Sequence, residues 1–248
     1  MRAFRSFGRI GLSEFTMKQK PNASASVSGV FSKTQIQIIL AAEKLFAKTG
    51  IDSVSLREIA VKAHQRNNFA VQYHFGSREN LVRAVFGHRM QQMEDQRGRM
   101  LVEAERNGTL HNIRTLLDMV YLPQLGLLDA DGNHSYANFL CQYLLRQRSQ
   151  EFGDFGTRLP THLDQIMKLL RIRLGYLPTA AAQRRLISAS LVFLNILMVY
   201  GETEDGALRA ESFEAALGDT MSQIELAICA PLTGIDSHGA SSKSQSGE

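Results

Sequence analysis

The sequence predicts an all-α chain in which three short helices precede a larger helical region. Apolar residues recur at helical spacing along most of the chain, no stretch alternates convincingly as a strand would, and capping signals stand at several expected helix starts. Length and composition agree with this: 248 residues, 44% hydrophobic and 21% charged, describe a globular protein able to bury a sizeable core.

Residues 1–32 carry scattered Arg and Lys and then the Ser- and Ala-rich "KQKPNASASVSGVFS", which predicts a flexible basic arm, with Met17 as a second candidate start. From Thr34, which can cap a helix, Ile38, Ile39, Ala41, Ala42, Leu45 and Phe46 recur on one side, and Gly50 stops the run. Ser55 with Glu58 three residues on forms a capping box ahead of Leu56, Ile59, Ala60 and Ala63. After the polar turn "HQRN", a third helix through "NNFAVQYHF" places Val71 and Phe75 inward and Asn67, Asn68, Gln72 and His74 outward, ending at Gly76. Ser77 then opens a single long helix from "RENLVRAVF" to "EAER". Five further helical segments follow, and residues 233–248 predict a disordered tail.

Charge is sorted along the chain. Residues 1 to 90 hold 14 Lys/Arg against 5 Asp/Glu, whereas residues 91 to 248 hold 14 against 19. A basic leading part fits a phosphate backbone, because cations there release condensed counterions and steer association. Three helices with a tight polar turn before the third make a helix-turn-helix, whose last helix can enter a major groove of double-stranded DNA. Arg66 can then meet a guanine edge bidentately, and Asn67, Asn68 and Gln72 can read adenine with a donor and an acceptor side by side. Ser55, Tyr73, His74 and Arg78, with Lys33 and Thr34, stand at helix ends or turns from which they can reach phosphates.

The pieces "TQIQIILAAEKLF", "SLREIA" with Ala63, and "YHFGSRENL", in that order over residues 34–82, resemble the tetracycline-repressor (TetR) family of bacterial transcriptional regulators. The chain departs from that pattern at the turn, where His64 takes the usual Gly position and at least one extra residue precedes Tyr73. The resemblance implies backbone contacts for Tyr73, His74 and Arg78 and base reading between Arg66 and Gln72. It also implies a homodimer joined through the last two long helices, 184–201 and 212–229, and a small-molecule effector in the helical region, with residues 83–106 as the lever between effector and reading head. Met119, Tyr121, His134, Phe139, Tyr143 and Met167 can line a mostly apolar pocket for it.

The expected organisation is therefore a flexible arm (1–32), a helix-turn-helix DNA-binding domain (33–82), a helical effector-binding and dimerisation domain (83–232) and a tail (233–248). The expected function is a ligand-responsive, cytoplasmic repressor that binds a palindromic operator as a dimer. Scattered His, and the lack of HExxH, GxSxG, P-loop or GxGxxG contexts, argue against an enzyme, a catalytic residue, a metal or a cofactor. Cys141 and Cys229 lack CxxC spacing. The apolar run Leu186–Tyr200 is shorter than the roughly 20 residues of a membrane span, so no membrane partner is expected. The rival reading is an all-helical protein-interaction module that does not bind DNA, which the charge sorting disfavours because packing requires no such partition.

Overall fold

The computed structural model describes residues 31–146, 158–201 and 211–232. Among them there is no strand. The helices are α1 (Lys33–Thr49), α2 (Leu56–Lys62), α3 (Ala70–Phe75), α4 (Arg78–Gln92), α5 (Glu94–Arg106), α6 (Ile113–Tyr121) with a 3-10 turn (Leu122–Gly126), α7 (Ser135–Arg146), α8 (Thr161–Arg173), α9 (Thr179–Gly201) and α10 (Phe213–Cys229).

Ser32, and not Thr34, caps α1. Its Oγ accepts from the Gln35 N–H at 3.3 Å while Gln35 Oε1 accepts from the Ser32 N–H at 2.9 Å, a reciprocal box that satisfies two orphan donors. Ser32, and Phe31 packed against the core, therefore belong to the fold; the rest of the expected arm and the whole expected tail lie outside the described residues.

Helix α1 ties the first three helices to the rest of the molecule. Ile38, Ile39, Ala42 and Phe46 are fully buried between α2, α4 and α7, and the Phe46 ring stacks on Phe139 of α7 at 6.1 Å. Phe86 of α4 completes the aromatic cluster, 5.0 Å from Phe139 and 4.6 Å from Tyr143. A buried polar link crosses the same seam: Arg89 Nε and Nη2 donate to Glu43 at 2.6 and 2.7 Å, and Ser135 Oγ donates to Glu43 Oε1 at 2.6 Å. At the periphery, Lys44 pairs with Asp131, and Arg146 pairs with Asp52 at 2.8 Å.

The expected single helix over residues 78–106 is two. The break falls at Met93, which ends α4 and precedes α5. The sequence period runs through it because Met90, Met93, Arg97 and Leu101 all stay on the buried side. Helix α9 is also longer than its apolar run. It starts at Thr179, spans 23 residues, and is long and apolar enough by length and composition to cross a membrane, with a mean hydropathy of 1.3 over Thr179–Tyr200. It packs against α10 and α7, burying Leu186, Phe193, Leu194 and Leu197.

His88, 8% exposed, lies on the inner side of α4 with the Phe31 ring edge-on at 6.4 Å. Burial draws its pKa down to about 4, with Arg89 acting in the same direction and Glu43 opposing. The folded value lies below the unfolded one near 6.5, so the unfolded chain binds the proton first. Stability is therefore complete above about pH 6.5 and falls as pH drops towards 4, by about 3 kcal/mol at full extent. Denaturant melts should show wild type losing about 2 kcal/mol between pH 6.5 and 5, and His88→Gln losing distinctly less. Identical pH slopes for the two proteins would refute the assignment to His88.

Candidate nucleic-acid interface and interior cavity

The polar stretch between α2 and α3 is built by its own hydrogen bonds. Ser55 caps α2, accepting from the Glu58 N–H at 3.1 Å, while Glu58 Oε2 accepts from the Ser55 N–H at 2.7 Å. The helix ends at Ala63, and His64 turns the chain with φ 53°, the one non-glycine residue with positive φ among the described residues. His can occupy this left-handed region, where a β-branched residue would be strained. The Gln65 N–H then reaches the Ala60 carbonyl at 2.9 Å, closing the turn.

The third helix starts later than its sequence pattern predicts. Asn67 Oδ1 accepts from the Phe69 N–H at 2.9 Å, a side-chain turn that replaces the first helical bonds, and regular helix begins only at Ala70. Of the four expected base readers, Arg66, Asn67 and Asn68 sit in this turn, and Gln72 alone is on α3. All four are exposed. The helix is seated by Ala70, Val71 and Phe75, which point inward as expected. Gly76, with φ 74°, ends it by donating to the Gln72 carbonyl, and Asn80 Nδ2 holds the Phe75 carbonyl at 2.9 Å.

The expected phosphate-contacting residues are placed less uniformly. Lys33, Ser55 and Tyr73 are exposed, Tyr73 at 83%, whereas Thr34 and His74 are half-buried and the His74 ring meets Tyr73 edge-on at 5.0 Å. Arg78 is half-buried, and its Nη1 donates to the Ile51 carbonyl in the loop after α1, a bond that holds the α1–α2 loop against α4. Asn67 has its amide oxygen engaged by Phe69, which leaves the amide N–H groups as its outward donors.

Sequence reasoning passed over Phe69, which is 75% exposed beside the expected base readers. Its position two residues before the buried Val71 puts it on the opposite side of the turn, and that offset was available from the sequence. An exposed ring here can lie against a thymine methyl group.

The second feature is an interior cavity of about 50 Å³ between α4, α5, α6, α7, α8 and α9. Of the six residues expected to line it, Tyr121 and Met167 do. Phe139 and Tyr143 instead pack on Phe86 in the α1–α4–α7 core. Met119 is buried with its carbonyl accepting from Arg97 Nε at 3.4 Å, and His134, half-buried ahead of α7, has its pKa lowered by burial. Two polar residues that the sequence reading did not single out, Arg97 and Gln124, do line the cavity. Arg97 was discernible as a lone cation in the otherwise apolar stripe Met93, Leu101, Ala104 of one helix face.

Comparison with known proteins adds the following. Residues 38–85, from α1 into α4, match the family model described as "Bacterial regulatory proteins, tetR family". One solved structure, reported as "Molecular basis for control of antibiotic production by a bacterial hormones", aligns at 20% identity and a TM-score of 0.45 over 80% of this chain and 98% of its own. No curated protein matches the chain.

Proposed function

We infer, from the match of residues 38–85 to the model of the tetR family of regulatory proteins, that this chain is a DNA-binding transcriptional regulator and, further, a non-enzymatic, cytoplasmic, ligand-responsive repressor that binds a near-palindromic operator as a homodimer. In this reading residues 33–82 form the reading head and residues 83–232 the effector-binding and dimerisation part. One observation carries it: a six-residue helix buries Ala70, Val71 and Phe75 while the turn before it and its outer side present Arg66, Asn67, Asn68, Phe69, Gln72 and Tyr73 together to solvent. A helix packed only for structure has no use for that assortment, whereas base edges and phosphates do.

Arg66 and Gln72 supply base reading, with Asn68 beside them and Asn67 donating through its amide N–H groups. Lys33, Ser55, Tyr73, His74 and Thr34 supply phosphate contacts, and Arg78 contributes chiefly by holding the loop at Ile51. An effector in the cavity would bear on Met90, Met93 and Arg97 of α4 and α5, the helices that continue from the reading head. A coupling of about 1–3 kcal/mol through them would weaken operator binding roughly 5- to 150-fold.

The test is binding to DNA flanking the protein's own gene, at two salt concentrations and against unrelated duplex. Arg66→Ala should lose discrimination at one base pair, worth about 1–3 kcal/mol, with non-specific binding nearly kept; Lys33→Ala should weaken every duplex alike and reduce the salt slope by about one. Equal loss on all duplexes for Arg66→Ala would remove it from base reading.

A further inference from the structure

We propose that the interior cavity binds a small amphipathic carboxylate, its anionic head on the Arg97 guanidinium and a hydroxyl or amide N–H of its body on Gln124 Oε1. This rests on reading the protein as ligand-responsive, and it names the chemistry of that ligand.

Another buried arginine in the same molecule, Arg89, sets the standard. Arg89 meets both oxygens of Glu43 at 2.6 and 2.7 Å and also donates to Gln92 at 2.9 Å, as a buried guanidinium should. Arg97, 2% exposed, has only marginal partners among the described residues: the Met119 carbonyl at 3.4 Å, the Met90 carbonyl at 3.5 Å and the Met93 sulfur at 3.5 Å. Glu94 stands 3.9 Å from its Nη1. That carboxylate faces the first turn of α8 instead, accepting from the backbone N–H groups of His162 and Leu163 at 2.9 and 3.2 Å. Five guanidinium donors thus share three long bonds and one distant carboxylate; burial draws the Arg97 pKa down, against Tyr136 and Glu94, to about 10, and the group stays charged at neutral pH.

A second, independent vacancy in hydrogen bonding lines the same cavity. Gln124, 7% exposed in the 3-10 turn after α6, lines the cavity, and its buried Oε1 has no hydrogen-bond partner among the described residues. An amide oxygen asks for a donor where Arg97 asks for an acceptor. A ligand with one acceptor-rich anionic end and a donor on its body answers both. The remaining polar lining is neutral: Tyr121 Oη lies 3.2 Å from Ser190 Oγ, and Tyr136 is a buried phenol.

The other lining groups are apolar. A cavity of about 50 Å³ has room for on the order of four waters, hence a ligand of roughly six to nine non-hydrogen atoms. Met90, Met93 and Met167 can shift rotamers to admit slightly more. A short acyl chain carrying a hydroxyl, such as a 3-hydroxy acid, fits these requirements in size and in polarity.

Titration calorimetry on the purified full chain, without DNA, tests this with 3-hydroxyhexanoate, hexanoate and methyl hexanoate. The two acids should bind about 10- to 100-fold more tightly than the ester, the range expected for a charge-assisted hydrogen bond, and 3-hydroxyhexanoate should exceed hexanoate. Arg97→Met should abolish the preference for acid over ester, and Gln124→Leu the preference for the hydroxy acid alone. Should Arg97→Met not fold, the three probes on the wild-type protein still decide. Equal binding of ester and acid, or no binding of any probe at millimolar concentration, overturns the proposal. Acid binding that leaves operator affinity unchanged would keep this assignment and refute ligand responsiveness, whereas an operator-binding protein blind to all three probes would refute this assignment and leave the DNA-binding reading standing.

Discussion

Replacing Arg89 by methionine is expected to lower the folding free energy by about 3–5 kcal/mol, because it strands the Glu43 carboxylate in a site where that side chain is almost wholly buried. Glu43 keeps only the Ser135 hydroxyl, 2.6 Å away, after the two guanidinium bonds are gone. Against a typical total stability of about 5–15 kcal/mol, such a loss leaves a marginal protein. Burying an intact ion pair is near neutral against an apolar pair of the same shape, so Glu43→Leu combined with Arg89→Met should recover most of it. Urea melts of the wild type, both single variants and the double variant close the cycle. A cost below about 1 kcal/mol for Arg89→Met, or a double variant as unstable as the single, would show that the pair is not the clamp between α1 and α4.

That clamp bears on the proposed function because α1 belongs to the proposed reading head and α4 leads directly towards the cavity, while Ser135 brings α7 into the same link. A rotation of α4 that keeps this pair intact would carry Glu43, and with it α1, along.

Which parts of this were legible beforehand depends on the range of the interactions involved. Helix α2 was readable in full, since Ser55 and Glu58 cap it with contacts three residues apart. The inward side of α3 was readable from the four-residue offset of Val71 and Phe75, both buried. Its start was not, because Asn67 can serve either as a helical residue or as a turn-forming acceptor for Phe69, and the folded neighbours decide. The break at Met93 was hidden by a buried stripe that continues through it. The cavity was half readable. Aromatic residues at helical spacing line a core and a pocket equally well, so Phe139 and Tyr143 could not be told from Tyr121. Arg97 carried the sharper signal, a cation where the period demands an apolar residue, and it went unused.

The largest effect on DNA binding is expected from a change remote from the reading head. Helix α9 exposes Ser188, Val192, Asn195 and Val199, spaced four, three and four residues apart and therefore in one stripe, with both valines 43% exposed. On α10, Leu226 is 72% exposed, and Ala215, Gly218 and Ser222 are exposed small residues that permit close approach of another helix. A second copy of this chain is the occupant proposed for these two stripes. Two-fold pairing would hold two copies of α3 about one DNA turn, roughly 34 Å, or a multiple of it, apart. Val192→Glu with Asn195→Glu puts charge into that seam while leaving the monomer's buried residues untouched. Sedimentation should then report monomer, against the dimer expected of the wild type, with the helical circular-dichroism spectrum of the folded subunit retained. Each head must now bind alone, and loss of the tethered second head should cut operator affinity by about 10²- to 10⁴-fold, with single half-site binding little altered. Dimers persisting in the double variant would move the interface elsewhere; monomers that keep full operator affinity would show that one head suffices and that the operator need not be palindromic.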